Sequence, residues 1–123
     1  MKFNGPRGVA VDGSGNIYLV DSGNSVIRKM SQSGVVTTFA GSVSVFSAPF
    51  DVAVDSAGNV YVADFYADSI RKVTVEGLVL WFAGGDGGSS DGIGTMAQFN
   101  HPNGVAVDSE DNVYVAAQSS AYC

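Results

Sequence analysis

Three short turns in this chain carry an Asp and an Asn four residues apart: Asp12-Gly13-Ser14-Gly15-Asn16, Asp55-Ser56-Ala57-Gly58-Asn59 and Asp108-Ser109-Glu110-Asp111-Asn112. Recurring side-chain oxygens raise the question of calcium. Each turn offers fewer oxygen ligands than calcium takes, and none has the Glu that closes an EF-hand loop. The pattern instead predicts an Asp that caps a turn by accepting backbone N–H groups, with Gly or Asn at positive φ. Gly92-Ile93-Gly94-Thr95-Met96-Ala97 matches the G-x-G-x-x-A dinucleotide fingerprint. That fingerprint works only where a strand feeds a helix whose N-terminus meets the pyrophosphate, and here another strand follows almost at once, so a loop is expected. His101, the one histidine, has no second His or Cys near it to complete a zinc site or a base pair, and reads as a surface or packing residue.

The elements that position these residues come from an internal repeat. Phe3-Asn4-Gly5-Pro6-Arg7-Gly8-Val9-Ala10-Val11-Asp12 returns as Phe46-Ser47-Ala48-Pro49-Phe50-Asp51-Val52-Ala53-Val54-Asp55 and as Phe99-Asn100-His101-Pro102-Asn103-Gly104-Val105-Ala106-Val107-Asp108. The first two copies are 43 residues apart, and an insert of ten displaces the third. Each copy runs through its Asp/Asn turn into a second apolar segment, Ile17–Val20, Val60–Ala63 and Val113–Ala116. Third and fourth segments follow at 26–30 and 35–39, then at 69–73 and 78–82. These are short strands joined as hairpins, four to a complete unit. The first two are apolar at nearly every position, which predicts a sheet covered on both faces. A four-stranded sheet covered by copies of itself is a propeller blade, with the small Val-Ala-Val strand nearest the axis and the more polar third strand nearer the rim. The expected fold is all-β, a β-propeller of two and a half four-stranded blades, with repeats at 3–45, 46–98 and 99–123.

The segments Pro-x-Gly-Val-Ala-Val-Asp, Gly-Asn-Ile-Tyr-Leu-Val-Asp, Ile-Arg-Lys and Gly-Val-Val-Thr-Thr-Phe-Ala-Gly resemble the NHL repeat over essentially the whole chain. The resemblance implies membership in a ring of about six blades, on the order of 260 residues. Two and a half blades make a partial ring, either a piece of a longer protein or a unit that self-associates through its exposed blade faces. Related propellers include metal-dependent lyases and lactonases, whose histidine or acidic metal constellations have no counterpart in this sequence.

Composition narrows the partners. Twelve acidic against six basic residues give a net charge of −6, which disfavours nucleic acid. The basic residues fall mainly in two pairs, Arg28-Lys29 and Arg71-Lys72, at equivalent places in two repeats, and read as a solvated strand edge. No run of eighteen apolar residues predicts a membrane span. The one cysteine, Cys123, can form no disulfide within the chain. Redox compartment and cell location stay open.

Function is expected on the loops that differ between copies. Links between strands two and three, and between blades, emerge on one face, and there Asp21-Ser22-Gly23-Asn24-Ser25 becomes Asp64-Phe65-Tyr66-Ala67-Asp68. A turn has no folding need for two adjacent aromatics, so Phe65 and Tyr66 are either contact anchors or groups folded onto the neighbouring blade. The candidate binding residues are Asp21, Asn24, Asp64, Phe65, Tyr66, Asp68, His101 and, in the glycine-rich insert from Gly84 to Gly94, Asp86 and Asp91. With no catalytic residue, metal or cofactor predicted, the leading expectation is a binding module for a protein, peptide or glycan. The alternative is a fragment of a metal-dependent propeller enzyme.

Overall fold

The computed structural model describes residues 2–42, 44–85, 87–88 and 92–118. Three antiparallel sheets follow one another along the chain. The first blade comprises β1 (Pro6–Val11), β2 (Ile17–Asp21), β3 (Val26–Met30) and β4 (Val36–Gly41). The middle blade comprises β5 (Pro49–Val54), β6 (Val60–Asp64), β7 (Ser69–Val73) and β8 (Val79–Gly84). A half blade holds β9 (Pro102–Val107) and β10 (Val113–Ala117). Strand order in each sheet is the order in the chain, so every connection is a hairpin. Single 3₁₀ turns occupy Ser22–Asn24, Phe65–Ala67 and Gly94–Met96. This is the all-β propeller arrangement, a partial ring in which β1 packs on β5 and β5 on β9.

Side chains alternate across each strand, so the middle blade buries one set against each neighbour. Val52, Val60, Val62 and Val73 pack with Tyr18, Val20, Ile27, Ala40 and Phe46. On the other face of the same strands Ala53, Tyr61, Ala63 and Ile70 pack toward Val105 of the half blade. Two apolar layers meeting one sheet explain why its inner strands are apolar throughout rather than alternating. Away from the middle blade the same pattern meets no partner among the described residues, and Val9, Val11 and Tyr114 are each about 60% exposed.

The two Arg-Lys pairs are not a solvated edge. They lie on β3 and β7, interior strands of their sheets. Lys29 and Lys72 extend over the Tyr18 and Tyr61 rings, Arg28 pairs with buried Asp21, and Arg71 is buried. The long stems cover apolar surface, and the two guanidinium groups lie 3.0 and 3.8 Å from the carboxylates ending β2 and β6. Among the described residues no helix is long and apolar enough to cross a membrane.

Candidate functional site

On the face formed by the β1–β2, β5–β6 and β9–β10 turns, three copies of one hydrogen-bond network recur. Asp12 Oδ1 accepts the N–H groups of Ser14 and Asn16 at 2.9 Å, while Oδ2 accepts the Asn16 amide at 3.0 Å and the Tyr18 hydroxyl at 3.2 Å. Asp55 and Asp108 repeat it, ending on Tyr61 and Tyr114. Burial raises the Asp12 and Asp55 carboxyls, but the donors outweigh it and hold both below the usual value. Burial, with the adjacent carboxylate, pushes the Tyr18 and Tyr61 hydroxyls up to about 12. These oxygens are occupied by the turn itself, as the capping reading expects. The left-handed position falls on Gly15 and Gly58, and in the third turn on Asp111 rather than on Asn. Among the described residues no group of three or more His, Cys, Asp or Glu is arranged to hold a metal.

The opposite face joins each interblade link to the loop after the second strand. Fully buried Asp21 accepts the Asn4 N–H at 2.7 Å, the Asn24 amide at 2.8 Å and Arg28 Nε at 3.0 Å. Fully buried Asp64 accepts the Ser47 and Ala48 N–H groups at 3.0 and 2.8 Å, with Arg71 Nη1 at 3.8 Å. Burial tends to raise both carboxyls. At Asp21 the Asn24, Asn4 and Arg28 donors reverse the effect, whereas at Asp64 burial wins and the carboxyl stays above its usual value. Asp68 Oδ1 meets the backbone N–H of His101 at 2.8 Å and its Nδ1 at 2.9 Å. That pair ties the middle blade to the link entering the half blade, where His101 adopts a φ of 54°.

Above these staples runs a strip of aromatic rings. Phe50 and Phe65 stack at 4.2 Å, Phe65 meets Tyr66 at 5.1 Å and His101 at 4.6 Å, and Tyr66 meets His101 edge-on at 5.8 Å. The Arg7 guanidinium lies 4.1 Å over the Phe50 ring. Phe65 is 8% exposed and Tyr66 65%. The two adjacent aromatics therefore divide the alternatives between them: Phe65 folds onto its neighbours, and Tyr66 stands out.

Of the residues singled out in the sequence, the structure gathers Asp64, Phe65, Tyr66, Asp68 and His101 around one loop. Asp21 and Asn24 form the equivalent cluster of the first blade, facing each other rather than outward. Asp21, Asp64 and Phe65 are buried, so none offers an open surface for contact. Asp86 and Asp91 lie outside the described residues. Sequence reasoning passed over Phe50 and Arg7, although a signal was there: the residue after each repeat's Pro is Arg7, then Phe50, then Asn103, a variable column in an otherwise regular motif. It also passed over Asp51, which stands where the flanking copies have Gly8 and Gly104. Its Oδ2 accepts the Val105 N–H at 3.0 Å, and a Cβ on Gly8 would lie 2.5 Å from its Oδ1. The neighbouring glycine makes room for this interblade staple.

Residues 1–49 match the family described as the teneurin NHL domain. Among solved structures, a protein of unknown function from Bacteroides thetaiotaomicron VPI-5482 is 28% identical, with a TM-score of 0.76 over 94% of this chain and 31% of its own. Virginiamycin B lyase from Staphylococcus aureus is 16% identical, with a TM-score of 0.72 over 93% of this chain and 35% of the lyase. A chain of the nidogen/laminin complex is 21% identical, with a TM-score of 0.71 over 89% of this chain and 38% of its own. The chain thus spans about a third of the length of the structures it matches. No curated protein matches it in sequence.

Proposed function

Taking as premise that the chain is a run of NHL-type propeller blades, we propose that it is a non-catalytic binding module that takes a protein or peptide on the face carrying Tyr66. One observation carries this reading: Tyr66 is held out into solvent by a ring cluster whose other members are packed beneath and beside it. An exposed tyrosine on a rigid aromatic base is a large contact area with little rotamer entropy to lose on binding. Arg7 and the half-buried His101 border the strip and supply polar contacts at its rim. The buried carboxylates of Asp21 and Asp64 and the half-buried one of Asp68 serve the face indirectly, by fixing the backbone of the loops that form it.

The nidogen/laminin likeness supports a protein partner as the class to try first, since that relative is described as a complex between proteins. The lyase likeness stands at an identity where fold alone is shared. The test is selection of ligands from a random peptide library on the wild-type chain, followed by affinity measurement on Tyr66→Ala. Ligands weakened tenfold or more by that change, at an unaltered melting temperature, support the assignment. Ligands that bind both forms equally overturn it, and a glycan array that yields hits where the peptide library yields none replaces the partner class.

A further inference from the structure

The first and middle blades share an Asp and Arg at the same register, with Arg28 opposite Leu19 and Arg71 opposite Val62. In the first blade the guanidinium is engaged through two of its nitrogens. Its Nε donates to Asp21 at 3.0 Å and its Nη1 to the Thr38 hydroxyl, while the Asn24 amide completes the carboxylate's shell. The middle blade lacks both polar helpers: Trp81 stands opposite Arg71 where Thr38 stands opposite Arg28, and Ala67 replaces Asn24. Arg71 keeps one hydrogen bond, to the Val45 carbonyl at 2.9 Å, and its distance of 3.8 Å from Asp64 is beyond hydrogen-bond range. Its Nε is buried with no partner among the described residues. Its guanidinium lies 3.9 Å over the Trp81 ring. A cavity of about 600 Å³ opens there, lined by Ser44, Ser47, Asp64, Ala67, Arg71 and Trp81.

We propose that this cavity binds a carboxylate, with Arg71 recognising the anion and the Trp81 ring carrying its carbon skeleton. A guanidinium is a planar fork of donors that matches a carboxylate, and an edge left unengaged in a nearly buried side chain is a donor set waiting for an acceptor. Asp64 stands 3.8 Å away with its Oδ1 committed to the Ser47 and Ala48 N–H groups, and so leaves Arg71 donors unfilled. One guanidinium beside a carboxylate favours a monoanion over a phosphate dianion. The volume suits one acidic side chain of a peptide or one acidic sugar. Tyr66 does not line this cavity, so the site is independent of the aromatic strip.

Trp81 is the chain's single tryptophan, and its emission reports on the cavity directly. The titrants are acetyl-Glu-methylamide, glucuronate and, as a neutral control, acetyl-Gln-methylamide. A saturable change with at least one carboxylate and none with the control is expected. Saturation by the peptide analogue alone identifies an acidic side chain, by glucuronate alone an acidic sugar, and by both the carboxylate itself. Arg71→Gln should weaken binding tenfold or more. Because that variant leaves Asp64 buried without its cation, Ala67→Asn is the second test: it keeps Arg71 and Trp81, puts a larger side chain into the space that Ala67 lines, and should also weaken binding tenfold or more with the fold intact. No saturation by either carboxylate, an equal response to the control, or unchanged affinity in Ala67→Asn overturns the proposal. Tyr66→Ala should leave this titration unchanged whether or not it abolishes peptide capture.

Discussion

Strand β6 of the middle blade is buried at all five positions, whereas its counterpart β2 is buried at three and half-buried at two, and β10 lies half-buried or exposed. The three strands are close copies: Ile-Tyr-Leu-Val-Asp, Val-Tyr-Val-Ala-Asp and Val-Tyr-Val-Ala-Ala. Their differing burial therefore reflects the number of neighbouring sheets, two for β6 and one for each of the others. Apolar character along these strands is a property of the array, and an exposed valine or tyrosine on an outer blade face is a repeat position without its neighbour. The same logic separates the loops. Those of the turn face are nearly identical and satisfy themselves, whereas those of the opposite face differ and leave Tyr66 exposed and an Arg71 nitrogen without a partner among the described residues.

The difference between the middle blade and its flanks predicts unequal costs for similar truncations. Phe65→Ala removes a ring packed between Phe50 and His101 and should cost about 3 kcal/mol by chemical denaturation. A cost below about 1 kcal/mol would mean that the aromatic strip is not a packed unit. Next in size, Val62→Ala in fully buried β6 should cost about 2 kcal/mol, and Val115→Ala in half-buried β10 less than half of that. Equal costs would show that the half blade is covered in solution by something beyond the described contacts.

Two carboxylates at equivalent positions should respond oppositely to acid. Asp21 lies below its usual value in the fold, so its stabilisation is complete above about pH 4 and is lost as pH falls through the lowered value. Asp64 lies above its usual value, so the fold binds its proton more tightly than the unfolded chain, and stability is gained as pH falls through the raised value toward about pH 4. Melting temperatures measured from pH 7 down to pH 3 should give a flatter acid limb for Asp21→Asn and a steeper one for Asp64→Asn than for the wild type. Parallel shifts of both curves would remove the distinction drawn between the two blades.

Blade number, strand order and the turn networks were legible because each repeats: three aligned copies of Pro-x-x-Val-Ala-Val-Asp and of Asn-x-Tyr fix the hairpins by periodicity alone. The Asp-to-Tyr hydroxyl bond was implicit in the same spacing. Legibility failed where a residue's environment comes from another blade. Arg28 and Arg71 look like exposed charges in one dimension, since nothing along β3 or β7 reveals the carboxylate ending the adjacent strand or the link crossing above it. Phe50 escaped notice because it sits inside a strand, and its importance comes from stacking on a loop fifteen residues away. Phe65 and Tyr66 were picked out as a pair, but adjacency in sequence hid their different exposure, 8% against 65%.

That last pair gives the smallest effect on stability and the sharpest test of the division between packing and contact. Tyr66 is 65% exposed and meets its neighbours edge-on at 5.1 and 5.8 Å. Truncation to Ala removes little buried area, so its cost should stay within about 0.5 kcal/mol, far below the cost at Phe65. If both truncations destabilise the fold alike, the tyrosine is held down as part of the core and cannot be the free anchor of a contact surface. If Phe65→Ala destabilises and Tyr66→Ala does not, the loop is built as a buried ring supporting an exposed one, and any partner selected on this face should lose affinity with the exposed ring while the fold beneath it is untouched.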